Sequence, residues 1–176
     1  HGQAWQHEQL GTYRTLRVGR TLVEETAACL LGGFGMRAET GLAAFWRIRD
    51  WHLLERSTTA ADLEAALSVP FIIDGRERRY RFPKQKAHYL AACLRQLNEL
   101  AEPTDDLALR DRLATLPGVG LKTASWVVRN HRSSDSVAVV DVHICRAGRL
   151  LGLFDGNMDP TRHYLRMERR FLDFAS

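Results

Sequence analysis

Lys122 and Asp141 are the residues of this chain whose types and spacing could do covalent chemistry. The lysine lies in the run Leu116-Pro117-Gly118-Val119-Gly120-Leu121-Lys122-Thr123-Ala124, and the aspartate follows nineteen positions later. Gly118 and Gly120 allow positive φ, and without a Cβ they let a bulky anion come close. Pro117 stiffens the approach. Backbone N–H groups at such a turn and at the start of the next helix point the same way, and with the helix dipole they make an anion site. Leu116, Gly118, Val119, Gly120, Lys122 and Thr123 are thus the candidate phosphate-binding residues. Such a site holds a nucleic-acid backbone and reads no sequence. Pro-Gly-x-Gly alone is as often a plain turn between helices; the full run is far more specific and points to nucleic acid.

A lysine in the first turn of a helix opposes the dipole, which disfavours its protonated form. Partial burial would act in the same direction. A lysine that is neutral part of the time is a nucleophile at carbon. Held by the hairpin that holds the backbone, Lys122 could reach a sugar C1′; the plainer reading makes it one more phosphate contact. Asp141 weighs between the two. It follows the apolar run Val137-Ala138-Val139-Val140, and as a helix N-cap it should stay ionised. A fixed carboxylate near C1′ stabilises the positive charge that builds as a glycosidic bond breaks. An aspartate before a helix is by itself more often just a cap. The hairpin lysine nineteen residues earlier shifts Asp141 and Lys122 to a catalytic pair.

The elements that must position this pair read mostly as helices, and the fold class is all-α. Val23 to Leu31 is apolar enough for a buried helix that breaks at Gly32-Gly33-Phe34-Gly35. A second helix covers Glu39 to Arg47. Thr59 with Asp62 resembles a capping box for Ala60 to Leu67. Asp74-Gly75 is a turn signal, but Arg76 to Phe82 alternates poorly and reads better as an exposed basic loop than as a ribbon. Pro83 suits a first helical turn, and Ala87, Leu90, Ala91, Leu94 and Leu97 form the stripe of an amphipathic helix. Asp105 or Asp106 caps a helix running to about Thr115. Lys122 to Arg129 is a short helix, Asp141 caps Val142 to Leu151, and Asp159-Pro160 starts a last helix burying Tyr164, Met167, Phe171 and Phe174.

The 176 residues fit a single domain, 1–176, and at 45% hydrophobic they can bury a core. The net charge of +4 mildly favours a polyanion partner. Of the 25 Lys and Arg residues only Lys84, Lys86 and Lys122 are lysines, so each lysine is worth a question. Cys29, Cys93 and Cys145 are neither a disulfide framework nor a metal clip. With no run of 18 apolar residues and no charged-then-apolar leader, no membrane partner is expected and a cytoplasmic location is.

On Leu116–Ala124 and Val140-Asp141-Val142-His143-Ile144-x-Arg146 the chain resembles the helix-hairpin-helix DNA glycosylase superfamily, named for its hairpin, Gly/Pro-rich loop and aspartate. Ala124-Ser125 followed by Arg129-Asn130 is similar to its 8-oxoguanine branch, especially the compact prokaryotic 8-oxoguanine glycosylase/lyases. Weaker similarity covers most of the chain. The resemblance implies two helical lobes, the middle one roughly 35–125, with damaged double-stranded DNA bent across the cleft between them. It implies Lys122 as Schiff-base nucleophile, Asp141 as catalytic aspartate, base excision with β-elimination, and a monomer. The branches with an iron–sulfur cluster carry four clustered cysteines near the C-terminus, but no cysteine follows Cys145, so no cluster and no cofactor are expected. The hairpin leaves a monovalent cation as the one candidate ion.

Flipping a nucleotide needs a side chain to fill the gap. The Gly32–Arg37 loop offers Phe34 or Met36 as wedge and Arg37 for the opposite base or a phosphate; Phe34 could equally be core. His143 reads as fixing a helix start and Arg146 as meeting the DNA backbone or a carboxylate. Trp5, Trp46, Trp51 and Trp126 could stack on a base, though most such residues are core. Arg78, Arg79 and Arg81 read as a solvated face. Two other functions stay open: a glycosylase for another damaged or bulky modified base, virus-specific ones included, and a DNA-binding module without catalysis.

Overall fold

The computed structural model describes residues 16–33 and 35–176. Among them are eight helices and one two-stranded ribbon. Helix α1 (Leu22–Leu31) is capped by the Thr21 hydroxyl, carries Glu24 and Glu25 in its first turn, and buries Ala27, Leu30 and Leu31 completely or nearly so. Helix α2 (Ala38–Asp50) runs a turn past its expected end because Ile48 is fully buried. Helix α3 (Ala60–Ser68) starts with the capping box read from Thr59 and Asp62.

The first three residues of the expected basic loop are instead paired in a ribbon, while 79–82 lie outside it. Strand β1 (Phe71–Ile73) pairs antiparallel with β2 (Arg76–Arg78), Phe71 opposite Arg78 and Ile73 opposite Arg76. Asp74 and Gly75 both take positive φ, 51° and 71°, the turn whose twist suits a two-residue hairpin. β2 buries almost nothing, so it had no alternation to display.

Helix α4 (Pro83–Leu97) buries the whole predicted stripe and Cys93 as well. Helix α5 (Asp106–Ala114) is capped by Asp105, whose Oδ1 accepts from Ala108 N at 2.7 Å. Helix α6 (Leu121–Arg132) is one turn longer than its apolar stretch suggests. Its added polar residues have partners: Asn130 donates to Glu25, and Arg132 reaches Glu102 and Asp106. Helix α7 (Val142–Leu150) begins at Asp141. Helix α8 (Pro160–Ala175) turns Tyr164, Met167 and Glu168 inward. Phe174, expected in that buried face, is instead exposed, because the last turn runs past its neighbours.

Two apolar clusters result. The larger draws on α1 to α6 and includes Phe45, Leu90, Leu113, Val127 and Val137. The smaller holds Val140, Cys145, Phe154, Met158, Tyr164 and Met167, with Leu121 packed against it. Helix α6 therefore touches both clusters, Leu121 facing one and Ala124, Val127 and Val128 the other. Lys122 stands on the seam. No helix of the described residues is long and apolar enough to cross a membrane.

Candidate active site and nucleic-acid interface

The hairpin joins α5 to α6, and buried Leu116 and Val119 hold it from beneath. Gly118 has φ +76°, and a Cβ there would lie 2.6 Å from Tyr89 of α4. Gly120 departs from the expectation of positive φ: at −91° it is ordinary extended backbone. Nothing lies within 4 Å of where its Cβ would be, so its lack of a side chain leaves open space. Gly120 is also the N-cap of α6, and no side chain caps that end. The first N–H groups of the helix, at Leu121, Lys122 and Thr123, are left to solvent or an anion.

Lys122 and Asp141 line one cavity of about 800 Å³. Both are half-buried. Asp141 Oδ1 accepts from the backbone of His143 at 2.9 Å and Ile144 at 2.8 Å, which fixes the carboxylate at the head of α7. Its other oxygen takes no hydrogen bond among the described residues. Trp126, one turn beyond Lys122, forms part of the same wall.

On its α1 side the cavity meets a charged group that the sequence did not single out. Glu25 is fully buried and accepts from Val18 N at 2.8 Å, Gly19 N at 2.6 Å and Asn130 Nδ2 at 2.9 Å. Burial, and then the Glu25 charge, hold the Cys29 thiol well above its usual range. Arg129 also lines the cavity, and its buried Nε has no hydrogen-bond partner among the described residues. Nothing local marks Glu25, whose partner Asn130 lies 105 positions away.

Lys86 is a second amine in this neighbourhood. Its Nζ donates to Leu30 O at 2.6 Å, closing the end of α1 beside Tyr80, whose hydroxyl donates to Leu31 O. Burial, and then the nearby charge of Lys122, hold Lys86 below the usual lysine range. The scarcity of lysine was the one signal that could have found it.

The remaining candidates spread around the rim. Phe34 and Trp5 lie outside the described residues. Met36 is half-buried, packs on the larger core and lines the cavity. Arg37 is exposed at the start of α2. Arg81 belongs with this loop, because a Cβ on Gly35 would sit 2.7 Å from its Nη1; it is more than a solvated face. His143 is exposed on the cavity wall, while Arg146 is exposed one turn further along α7. Trp46 packs on the core and Trp51 is exposed. No group of three or more His, Cys, Asp or Glu among the described residues is placed to hold a metal.

Comparison with known proteins bears on this arrangement. The profile of the 8-oxoguanine DNA glycosylase family matches residues 8–176. An 8-oxoguanine DNA glycosylase/AP lyase of Metallosphaera sedula is 32% identical over 103 residues, 55% of this chain and 50% of that protein. The chain thus spans about half the length of the curated relative it matches. The fold is that of the Methanocaldococcus jannaschii 8-oxoguanine DNA glycosylase, with a TM-score of 0.68 at 24% identity over 88% of this chain and 69% of that one. It is also that of an endonuclease III trapped covalently on DNA, with a TM-score of 0.69 at 20% identity over 97% and 73%. The chain belongs to the 8-oxoguanine DNA glycosylase family, with the helix-hairpin-helix fold.

Proposed function

We propose that this chain excises 8-oxoguanine from double-stranded DNA and then nicks the strand as an abasic-site lyase. One observation carries the reading: an amine and a backbone-fixed carboxylate share a cavity next to an uncapped helix end that suits a phosphate. The family and its M. sedula and M. jannaschii members support the choice of base. The M. jannaschii enzyme has also been seen with a 15mer DNA containing 8-oxoguanine.

In this reading the α5–α6 hairpin grips the backbone through Gly118, Val119, Gly120 and the N–H groups of Lys122 and Thr123. The damaged nucleotide swings out of the stack into the cavity, at a cost of a few kcal/mol. Trp126 offers a face for the base. The lone pair of Lys122 Nζ attacks C1′, the C1′–N bond breaks, and the base leaves with its electron pair and takes up a proton. Asp141 stabilises the positive charge on the sugar through its free oxygen and can take the proton that the new amine linkage sheds. Ring opening gives the imine. Loss of a proton from C2′ then expels the 3′ phosphate. The lysine and the carboxylate supply nucleophile and charge, so the reading calls for no cofactor.

Borohydride trapping across a panel of lesion duplexes tests this. A covalent adduct with 8-oxoguanine duplex that disappears in Lys122→Gln is the expected result. Release of a different base, with the 8-oxoguanine duplex untouched, would reject the choice of base. No adduct and no base release with any duplex would reject the enzyme.

A further inference from the structure

The segment 137–140 delivers Asp141 to the cavity, yet it is in no helix and no sheet. Two side chains of α8 hold it instead. Ala138 N–H donates to Glu168 Oε1 at 3.0 Å, and Ala138 C=O accepts from the Tyr164 hydroxyl at 2.8 Å. The same hydroxyl oxygen accepts from Val140 N–H at 3.3 Å, one residue before the aspartate.

Glu168 reaches further. Its Oε1 also accepts from Ser125 Oγ at 2.9 Å, and its Oε2 accepts from Arg110 Nη1 at 2.6 Å. Ser125 lies on α6, three positions after Lys122. One buried carboxylate therefore joins the helix before the hairpin, the helix that carries the lysine and the segment that carries the aspartate. Glu168 and Tyr164 are 4% and 5% exposed, so solvent does not compete for these bonds. Burial pushes the Tyr164 hydroxyl up to about 12, which keeps it protonated and a donor.

A buried ion pair is a poor device for stability alone, since an apolar replacement often serves as well. It is a good device for fixing geometry, and catalytic groups need to be held within about half an ångström. We propose that Glu168 and Tyr164 are positioning residues that set Asp141 at a fixed separation from Lys122; the inference rests on the catalytic pair proposed above. Neither touches the reacting atoms.

The test is a double-mutant cycle read by single-turnover trapping on abasic duplex, which needs no damaged base. Tyr164→Phe and Glu168→Gln should each slow adduct formation about 10- to 100-fold. Their duplex affinity should stay within about 2-fold of the parent, because the phosphate contacts are untouched. In an Asp141→Asn background the same substitutions should cost less than about 3-fold, because groups that act as a unit are not additive. Should Glu168→Gln not fold, Tyr164→Phe, which removes only a hydroxyl, carries the test alone. Equal losses in both backgrounds would mean a merely structural role, and an unchanged rate in Asp141→Asn would leave nothing to position; either overturns the proposal. A parent chain that forms no adduct, or an adduct that survives Lys122→Gln, marks failure of the catalytic pair itself, and the proposal falls with it.

Discussion

At the residue scale, the two hairpin glycines do different work, and substituting each should separate folding from binding. Gly118→Ala meets both a positive φ and the Tyr89 ring. It should cost about 1–3 kcal/mol, read by urea unfolding, because the left-handed region alone costs an L residue about 1–2 kcal/mol. Gly120→Ala should change stability by less than about 1 kcal/mol, the range of cap substitutions. It should nevertheless weaken duplex binding, because the new methyl fills the space a phosphate would use. A Gly120→Ala protein that binds duplex as tightly as the parent would show that the phosphate does not sit there. Lys122 and Asp141, which line one cavity, stood out as candidates because the signals for them are local: a turn, a helix start and a spacing. Glu25, and Glu168 with Arg110, did not. Each looks like an ordinary charged or polar surface residue until the chain closes on itself. The burial that makes them matter is a property of the fold.

At the scale of elements, the helices declared themselves where one face is apolar and the ends are capped. They were misjudged where polar residues find distant partners, as in the last turn of α6, or where a helix outruns its neighbours, as at Phe174. The β1–β2 ribbon escaped because its turn, rather than its strands, carries the information. The two sides of α6 are held by different cores, so the backbone at Lys122 has little freedom to drift. The end of α1 is similarly held from α4. Lys86→Met should leave Leu30 O without its donor and lower stability by about 1–3 kcal/mol. It should also speed amide exchange from Gly32 to Met36, the loop that follows. Unchanged exchange there would show that Tyr80 alone closes the helix.

At the scale of the whole molecule, titration offers a check on how the termini of the larger core are packed. His131 is only 12% exposed in its side chain, and its Nε2 lies 3.3 Å from Glu102. Burial, and then the charge of Arg17, hold its pKa below 6.5; Glu102 and Glu25 offset this in part. The unfolded chain therefore takes up this proton first. Stability should be indifferent to His131 above pH 6.5 and fall as the pH drops through 6.5 towards the folded value. The urea midpoint at pH 5.5 should lie below that at pH 7.5, with a smaller drop in His131→Asn. An equal drop in both proteins would assign the loss to other groups. Asp106, held low by its hydrogen bond with Ser134, acts in a separate window, losing its contribution as the pH falls below 3.8. The tie between Lys86 and Leu30 O has a further consequence for chemoselectivity. An opened abasic sugar is an aldehyde, and an aldehyde condenses with an amine but not with a guanidinium. A surface whose cations are almost all arginine can therefore hold that aldehyde close without capturing it. Under the proposed function, Lys86 is already hydrogen-bonded to a carbonyl, which leaves Lys122 as the amine lining the cavity that is open to that aldehyde.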